Sequence, residues 1–438
     1  MSDTMPITPD VLVIGAGPAG ISAATICAKQ GLNVTIVDQG SAPGGTIFRP
    51  PTNGNSYNHY PSWWNKAKVQ FERVRKSIEY HPRTKYVGLD GAGLVLVRDY
   101  KREQNLIFKP RALIIAVGAI ENVRPVKGAE IPGVVTVGAL QIMLKETGVL
   151  PWKRIALAGT GPLLLAAAVQ LSDRGIKPVA VLERGHPFRP TMHTLSMAAY
   201  PDYGIEAAKY WAILRARGIM ISQGHSIASI SHNGEEVLIN SNGPKGETSV
   251  IKADVVGLHD GIQPNDFGLP KEHGGENMPL VLHAGDCKES LGGKAAVAQG
   301  LSAGYKAIEY FRKPVASHSN SCDKIVAHHR AAQTLIGRIY DTPETERLLA
   351  HPDTTVLCRC ENVTIGELHS YLTQDTRSPQ EVKLNTRVGM GGCQGRFCQK
   401  WVDQLRKEVI GEEQGHFPSI NKSRWPMQPI TIADYLNE

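Results

Sequence analysis

Short runs of apolar residues recur along the chain, and glycine-rich turns or helical stretches follow them. Val11–Ile14 is apolar throughout, which is typical of a parallel strand buried on both faces of a sheet. A helical pattern follows over residues 18–30, and a second strand is predicted over residues 33–38. Further strands of the same character are predicted over residues 113–117, 154–157, 179–182 and 281–284.

The order of strand, glycine turn and helix occurs twice, at residues 11–30 and again at residues 154–174. The two copies lie about 145 residues apart, which is too long a period for a solenoid repeat and suits two separate domains. The sequence therefore predicts an α/β fold with two Rossmann-like dinucleotide-binding domains. We expect the first to be discontinuous, over residues 1–150 and 250–315, and the second to occupy residues 151–249.

The first glycine turn, Gly15 to Gly20, fits the pattern G-x-G-x-x-G between a strand and a helix. Gly15 permits the tight turn, Gly17 lets the backbone approach a pyrophosphate, and Gly20 allows the helix to lie close to the strand. Pro18 starts the helix at no cost, because an N–H at that position has no helical partner. The N–H groups beside it, that of Ala19 included, and the helix dipole favour a phosphate here.

Two segments outside the turn favour FAD rather than NAD as the bound dinucleotide. The pair Gly44-Gly45 lies where two-domain flavoproteins bring backbone against the flavin. A later strand ends in Gly285-Asp286; in such flavoproteins this aspartate bonds the ribityl chain and the diphosphate, and the helix that follows points at the flavin. Asp38, at the end of the second strand, is placed to bond the ribose hydroxyls. Besides the glycine turn, the residues expected to bind FAD are Asp38, Gln39, Gly44, Gly45, Thr46, Arg49, Tyr86, Gly118, Gly285 and Asp286.

The second glycine turn is less complete than the first. Gly159 and Gly161 fit the first two glycines of the pattern, but Leu164 stands where the third glycine allows close contact between helix and strand. Glu183 ends the following strand and suits the ribose of NAD, whereas the neighbouring Arg184 suits NADP. Three alternatives stay open at this site: NAD(P), another nucleotide such as ATP, or a nucleotide fold that binds nothing.

Four of the seven cysteines lie near the C-terminus with the spacing C-x-C-x32-C-x4-C. They are Cys358, Cys360, Cys393 and Cys398, and four thiolates suit a [2Fe-2S] cluster or zinc. Structural zinc sites usually pair cysteines as C-x2-4-C, so the short C-x-C spacing favours the cluster. Glycines around the second pair support it as well, because they let backbone N–H groups turn toward sulfur. Zinc and unliganded thiols are the alternatives.

The remaining cysteines and the overall composition restrict the function further. The absence of a C-x-x-C pair near either glycine turn excludes a flavin-linked disulfide of the thioredoxin-reductase kind. Cys27 and Cys287 are interpreted as small buried hydrophobes, and Cys322 falls in a polar stretch over residues 316–350 that we expect to be a linker. With 42% hydrophobic residues, no signal peptide and no apolar run of membrane length, the chain is expected to be cytoplasmic. Its net charge of +7 is scattered, which argues against a nucleic-acid interface.

These motifs together resemble the alpha-type FAD/[2Fe-2S] subunits of heteromeric dye-linked dehydrogenases. That family includes subunits of opine oxidases, hydrogen cyanide synthase, and proline or D-hydroxyproline dehydrogenases. The resemblance spans residues 9–430; besides the two glycine turns and Gly285-Asp286, it rests on residues 44–49, 358–361 and 389–398. Residues 351–438 also resemble [2Fe-2S] domains of the bacterioferritin-associated ferredoxin type, in the wider-spaced variant that is fused to flavoproteins. The fold implied is that of a two-domain flavoprotein disulfide reductase with this small domain added.

The resemblance implies a division of labour within a complex. The amine is oxidised on a separate catalytic flavoprotein that resembles D-amino-acid or sarcosine oxidases. Two points stay open: whether a small third subunit is present, and whether the complex associates with a membrane. The alpha-type chain relays electrons through FAD and the cluster to a non-oxygen acceptor. In agreement, no local motif supplies the carboxylate clamp and hydride path of a C–N oxidation, so we assign no catalytic residue. Arg49 is the charged candidate for tuning the flavin. The isolated histidines are interpreted as structural: His59, His186, His193, His259 and His283.

Two other functions remain as alternatives. One is a self-sufficient NAD(P)H-dependent FAD/[2Fe-2S] reductase, which a complete second glycine pattern would support and Leu164 disfavours. The other is a non-enzymatic scaffold that holds its cofactors structurally. The sequence leaves the substrate open among opines, D-hydroxyproline, proline and glycine, because the resemblance places the specificity pocket in another chain.

Overall fold

The structure is a computed structural model that describes residues 5–52, 60–272, 277–312, 319–340, 347–373, 378–411, 426–427 and 429–436. The α-helices of this part of the chain are α1 (Pro18–Lys29), α2 (Ser62–Val74), α3 (Val137–Thr147), α4 (Pro162–Asp173), α5 (Met192–Ser196), α6 (Pro201–Ala216), α7 (Gly293–Tyr310), α8 (Ser319–Tyr340), α9 (Ile365–Leu372), α10 (Pro379–Thr386), α11 (Gln399–Ile410) and α12 (Ile432–Leu436). The strands are β1 (Val11–Ile14), β2 (Val34–Val37), β3 (Ile78–His81), β4 (Thr84–Leu89), β5 (Val95–Asp99), β6 (Gln104–Phe108), β7 (Ala112–Ile115), β8 (Ala119–Glu121), β9 (Val134–Thr136), β10 (Ile155–Gly159), β11 (Ala180–Glu183), β12 (Ile221–Gln223), β13 (Ser226–His232), β14 (Val237–Asn242), β15 (Thr248–Ala253), β16 (Val255–His259), β17 (Ile262–Pro264), β18 (Leu280–His283), β19 (Val356–Cys358) and β20 (Val363–Thr364).

The chain divides into two compact units. The first contains Met1–Ile120, Gln263–Ala331 and Ser423–Glu438, and the second contains Glu121–Ile262 and Ala332–Lys422. This division differs from the expected domain boundaries on either side of the second glycine turn. The reason is that β9 pairs in parallel with β16, so the segment before residue 150 and the segment after residue 250 both belong to the second sheet.

The first unit is built on a five-stranded sheet with the order β18-β7-β1-β2-β3. Its strands pair in parallel, and every residue of β1, β2 and β7 is buried, which explains why the sequence shows continuous apolar runs there. Val11 and Val13 face a helical layer that includes α1 and α7. Leu12 and Ile14 face the opposite layer, to which the three-stranded sheet β4-β5-β6 contributes. The predicted strand–turn–helix unit is therefore confirmed.

The second unit repeats this plan with different residues. Its parallel sheet has the order β12-β11-β10-β16-β9, and α3, α4 and α6 contribute to the core on one face. The antiparallel sheet β13-β14-β15 contributes to the core on the other face, where Ile230, Val237 and Ile239 are buried. The second predicted Rossmann-like unit is thus confirmed as well.

The four-cysteine segment forms a small domain within the second unit. A short antiparallel pair, β19 and β20, precedes three helices, α9, α10 and α11. Leu357, Leu368, Trp401 and Leu405 are buried in its own hydrophobic core. This core positions the ends of β19 and α11, and Cys358 is the last residue of β19 whereas Cys398 directly precedes α11.

The stretch interpreted as a linker contains α8, a helix of 22 residues. Its polar composition concealed a buried face, because Cys322, Val326, His329 and Ala332 follow one another at helical spacing and are each at most 8% exposed. Cys322 and Val326 pack against Leu291 and other residues near the start of α7. None of the helices in the described ranges is long and apolar enough to cross a lipid bilayer.

Candidate cofactor sites

The first glycine turn has the backbone geometry that the sequence predicts. Gly15 has φ +103°, and a side chain on it would lie 3.0 Å from the carbonyl carbon of Ala116. A Cβ on Gly20 would lie 2.9 Å from the carbonyl carbon of Gly15, so only glycine lets α1 start this close to β1. Gly17 is the N-cap of α1 and no side chain caps this end, which leaves backbone N–H groups for a phosphate.

The pair Gly44-Gly45 lies directly against this turn. The N–H of Gly44 donates to the carbonyl oxygen of Ala16 at 2.9 Å. A Cβ on Gly45 would lie 2.9 Å from Cα of Gly17, and both members of the pair have positive φ, +143° and +62°. A close approach of two backbones therefore explains why glycine stands at both places.

Asp38 lies at the end of β2 beside the turn, where the ribose of FAD is expected. Burial raises the pKa of its carboxyl group, and hydrogen bonds from the N–H groups of Ala16 and Gly40 oppose that rise. The hydroxyl of Tyr80 donates to Oδ2 of Asp38 at 3.5 Å. A Cβ on Gly40 would meet Asp38 Oδ2 at 3.0 Å and Arg49 Nη1 at 3.2 Å, so the guanidinium of Arg49 lies near this carboxylate.

Gly285, next to Asp286, lies against the first turn of α1, and α7 starts shortly after it. Oδ1 of Asp286 accepts hydrogen bonds from the N–H groups of Leu291 and Gly292, both at 3.2 Å. Burial raises the pKa of Asp286, and these two bonds oppose the rise. Gly285 has φ +76°, and a Cβ there would lie 2.8 Å from the Cβ of Ala19. The start of α7 has no side-chain cap, and its N-cap Gly292 has φ +89°.

The other residues expected to bind FAD are more scattered. Gln39 and Thr46 are exposed, and Gly118 has φ +77° just after β7. Tyr86 lies in β4 and is buried in the hydrophobic layer that covers the face of the sheet away from α1. Gly44-Gly45 and Gly285 therefore each lie against the glycine turn, whereas Tyr86 belongs to a different layer.

The second glycine turn is hydrogen-bonded to the carboxylate of Glu183, at the end of β11. Glu183 is buried, and its Oε1 accepts from Thr160 Oγ1 at 2.6 Å and from the N–H of Gly185 at 2.8 Å. Its Oε2 accepts from the N–H of Gly161 at 3.1 Å. Burial raises the pKa of Glu183, and these hydrogen bonds oppose the rise. Gly159 has φ +136°, and a Cβ there would lie 2.6 Å from the carbonyl carbon of His259.

His259 is paired with an acid, although the sequence shows it as isolated. Its Nδ1 lies 2.6 Å from Oε1 of Glu121, and both side chains are at most 10% exposed. The second oxygen of Glu121 accepts the N–H of Gly138 at the start of α3, at 2.8 Å. This pair was missed because the two residues are far apart in sequence and lie at the ends of β8 and β16. His283 bonds the carbonyl oxygen of Pro270, and His186 and His193 are exposed. His59 is outside the described residues.

A group of charged residues lies directly after the ends of β11 and β16. Arg184 lies 2.8 Å from Asp260, and the N–H of Arg124 donates to the same carboxylate at 2.8 Å. These three residues line a pocket together with His225 and His351. The guanidinium of Arg124 also lies over the ring of Trp401, 5.7 Å from its centroid.

The four cysteines of the C-terminal domain lie together as two pairs. The thiols of Cys358 and Cys398 hydrogen-bond to each other, as do those of Cys360 and Cys393. The first of these bonds lowers the pKa of Cys358 to about 6 and raises that of Cys398. Across the described residues, no three His, Cys, Asp or Glu side chains are grouped to hold a single metal ion. Each thiol pair can serve one iron of a [2Fe-2S] cluster.

Glycine and arginine residues surround these thiols. A Cβ on Gly391 would collide with the Cβ of Cys360, so the loop of the second pair requires glycine to reach the first. Nη1 of Arg396 donates to the carbonyl oxygen of Cys393 at 3.1 Å, which places a positive charge inside that loop. Arg359, between the ligands of the first pair, donates to the carbonyl oxygen of Val134 in β9 at 3.3 Å.

The other three cysteines, Cys27, Cys287 and Cys322, are buried. None of the seven cysteines forms a disulfide. Burial raises the pKa of Cys27 to about 12, which makes its thiolate scarce at neutral pH. The prediction that Cys27 and Cys287 are buried hydrophobes is confirmed by their positions in the core.

Comparisons with known proteins identify the family of the chain and its cofactors. The sequence model of the pyridine nucleotide-disulphide oxidoreductase family matches residues 9–285, more than half of the chain. The chain belongs to this family. A second family model, the BFD-like [2Fe-2S] binding domain, matches residues 356–408, which include all four cysteines of the two pairs. The cofactors of the chain are accordingly FAD and a [2Fe-2S] cluster. Both fit the residues described above.

Relatives of similar length extend the comparison over nearly the whole chain. The A subunit of opine oxidase from Agrobacterium tumefaciens (strain Ach5) is 30% identical, over 97% of this chain and 91% of the relative. The HcnB subunit of hydrogen cyanide synthase from Pseudomonas aeruginosa is 26% identical, over 97% of this chain and 98% of the relative. The chain is thus a FAD-dependent oxidoreductase of the group that contains these opine oxidase and hydrogen cyanide synthase subunits, as the motifs indicated.

A solved structure supports the fold independently. The crystal structure of L-proline dehydrogenase from P. horikoshii aligns with a TM-score of 0.71 and 16% sequence identity. The alignment covers 99% of this chain and 80% of that one. At this identity the match establishes the common fold, including the C-terminal domain.

Proposed function

We propose that this chain is the electron-transfer subunit of a heteromeric dehydrogenase or oxidase that acts on an amino acid, an imino acid or an opine. A partner flavoprotein subunit, resembling D-amino-acid or sarcosine oxidases, oxidises the C–N bond. The electrons then pass through this chain to an acceptor other than oxygen. The observation that carries the proposal is the presence, in one chain, of a dinucleotide cradle and two thiol pairs for a [2Fe-2S] cluster.

The names of the relatives support the division of labour. The opine oxidase and hydrogen cyanide synthase relatives are each named as one subunit of a larger enzyme, and both match this chain over 97% of its length. A shared chain of this length suits a shared role, while the partner subunit supplies the substrate pocket. The carboxylate clamp that an amino-acid substrate requires is accordingly assigned to the partner.

In this proposal the residues of the first unit hold FAD. The glycines at 15, 17 and 20 admit the pyrophosphate to the start of α1, and Asp38 bonds the adenosine ribose. Asp286 orients the ribityl and diphosphate end, and Gly44-Gly45 bring backbone against the flavin. FAD supplies two-electron chemistry and the cluster supplies one-electron steps.

The residues of the C-terminal domain hold the cluster in the same proposal. Cys358, Cys360, Cys393 and Cys398 are the ligands, and the buried core around Trp401 keeps the two pairs in position. The bond from Arg359 to Val134 ties the first ligand pair to the second nucleotide sheet. Along the chain, α8 lies between α7 and this domain.

The second glycine turn favours this function over a self-sufficient NAD(P)H reductase. At the start of α4, the N–H that faces a dinucleotide phosphate in a strong binder is already bonded to the Glu183 carboxylate. At the start of α3, the N–H of Gly138 is bonded to Glu121. An incoming pyrophosphate has to compete with both buried carboxylates, which disfavours NAD(P) or ATP at Gly159 and Gly161.

The experiment is an anaerobic reduction of the purified chain, alone and together with its co-expressed neighbouring subunits. NADH is added first and candidate amino acids, imino acids and opines afterwards, while the flavin and cluster absorbance is followed. We expect bleaching only in the complex and only with a C–N substrate. Bleaching of the lone chain by NADH within seconds refutes the proposal in favour of the reductase. An assembled complex whose chain stays oxidised with every C–N substrate supports a structural role instead.

A further inference from the structure

The side chains of Trp63 and Ile47 lie next to Gly293, in the first turn of α7. Gly293 is the first residue of this helix, and its φ is not in the positive range that would demand glycine. A Cβ on Gly293 would lie 3.0 Å from Cζ2 of Trp63, closer still to Cη2, and 3.3 Å from Cδ1 of Ile47. Glycine stands at position 293 because the indole of Trp63 occupies the space that a side chain would fill.

Trp63 is held in place by an aromatic cluster made of Phe48, Tyr60, Trp63 and Trp64. The ring of Phe48 stacks on Trp64, with 4.4 Å between centroids and an interplanar angle of 18°. The rings of Trp63 and Tyr60 both contact Phe48 edge-on, with centroid distances of 5.3 Å and 5.7 Å respectively. Phe48 is 9% exposed and Trp64 2% exposed, so both anchors belong to the core. Trp63 itself is only partly buried, which leaves part of the indole free for a further contact.

The N-terminus of α7, next to the indole of Trp63, can bind a negatively charged group. It lacks a side-chain cap, and Asp286 bonds the two residues before the helix rather than its first turn. The free N–H groups and the positive end of the helix dipole favour negative charge there. A reduced flavin carries such charge on its pyrimidine ring, and charge near N1 is a recognised means of tuning it.

We propose that Trp63, with Ile47 beside it, forms an apolar wall against the isoalloxazine ring at the start of α7 and restricts the access of water and oxygen to the reduced flavin. This inference rests on the proposed function, because it requires FAD in this chain. Molecular oxygen accepts two electrons and two protons from the reduced flavin, yielding oxidised flavin and hydrogen peroxide. A wall that slows this side reaction keeps the electrons for the cluster.

The test compares Trp63→Leu and Trp63→Phe with Trp211→Leu as a matched control. Trp211 is an indole of α6, in the second unit, that is 42% exposed and contacts Phe188. FAD and iron content per chain are measured first, from absorbance and metal analysis. The fluorescence of bound FAD and the rate at which oxygen reoxidises the photoreduced flavin are then measured in the full chain.

An indole in contact with the isoalloxazine ring quenches its fluorescence. We therefore expect Trp63→Leu to raise the flavin emission several-fold and to accelerate reoxidation several-fold. Trp63→Phe should fall between Trp63→Leu and the wild type in both properties, and Trp211→Leu should match the wild type. If Trp63→Leu fails to fold, the same comparison is made with Trp63→Phe.

Two results separate the failure of this inference from the failure of the proposed function. Wild-type chain purified without FAD, and unable to take it up, overturns the proposed function itself. Variants of Trp63 that retain FAD but show wild-type emission and wild-type reoxidation overturn the apolar wall alone. A change that Trp211→Leu reproduces equally also overturns it, because the effect is then not local to the flavin.

Discussion

Replacement of Gly300 by alanine should separate the two helices that enclose the first glycine turn. Gly300 lies in α7, and a Cβ there would lie 2.8 Å from both Cα and the carbonyl carbon of Ala19, and closer still to its carbonyl oxygen. Ordinary contact of a Cβ begins at 3.4 Å, so the backbones have to move apart by more than half an ångström. Ala19 belongs to the first turn of α1 and is buried in the core, which leaves it little room to yield.

A matched substitution isolates the energy of this clash. Gly337 also lies inside a helix, α8, but nothing lies within 4 Å of a Cβ added there. Both glycine-to-alanine changes gain about 1 kcal/mol of helix propensity. Only Gly300→Ala adds overpacking, which costs about 1–3 kcal/mol. The difference between the two variants in free energy of unfolding should therefore be about 1–3 kcal/mol, with Gly337→Ala at or above the wild type.

The assay is urea unfolding of both variants at the same excess of FAD, since bound cofactor stabilises the folded chain. FAD retained after gel filtration is measured in parallel, because the displaced helices both begin at the expected FAD site. We expect Gly300→Ala to retain less FAD than Gly337→Ala. Equal stability of the two variants would refute the argument that the α1–α7 contact requires glycine at this position.

Three further predictions concern the second unit. Cys360→Ser should abolish the [2Fe-2S] signal in electron paramagnetic resonance and lower iron per chain, whereas Cys322→Ser should leave both unchanged; retention of the cluster by the first variant would contradict its assignment as a ligand. Glu183→Ala should destabilise the chain by about 2–4 kcal/mol, because it leaves buried hydrogen-bond donors without their acceptor. Glu235→Ala, at an exposed carboxylate, is the control in the same denaturant titration, and equal effects would argue against the buried network. Arg396→Gln should shift the reduction potential of the cluster to more negative values, because the reduced cluster loses a nearby positive charge; a redox titration followed by electron paramagnetic resonance checks the sign, and an unchanged potential would contradict it.

Local patterns in the sequence were sufficient for the strands, the glycine turns and the identity of the cofactors. The apolar run Val11–Ile14 is buried on both sides because a parallel sheet is covered on both faces. Gly15 and Gly20 could be assigned because each answers a backbone requirement within its own turn, a positive φ or a close approach. The four clustered cysteines were recognisable for the same reason, since the ligand spacing is itself a local property.

Amino-acid composition was a poor guide to burial where a segment packs against residues far away in the sequence. The polar stretch that contains α8 was expected to be a linker, but four of its residues at helical spacing are buried. A helix with a narrow apolar stripe has a polar average composition, and only the surface it packs against shows that the stripe is a core face.

Contacts between segments remote in sequence were decided by the tertiary structure alone. The sequence by itself determined two dinucleotide turns and a cluster domain. It did not pair Glu121 with His259, nor place Arg49 beside Asp38 and Trp63 over the start of α7. The physical reason is that hydrogen bonds and φ values within a turn follow from a few adjacent residues. Which side chains meet at the ends of different strands and helices depends instead on how those elements pack, and no local spacing encodes that.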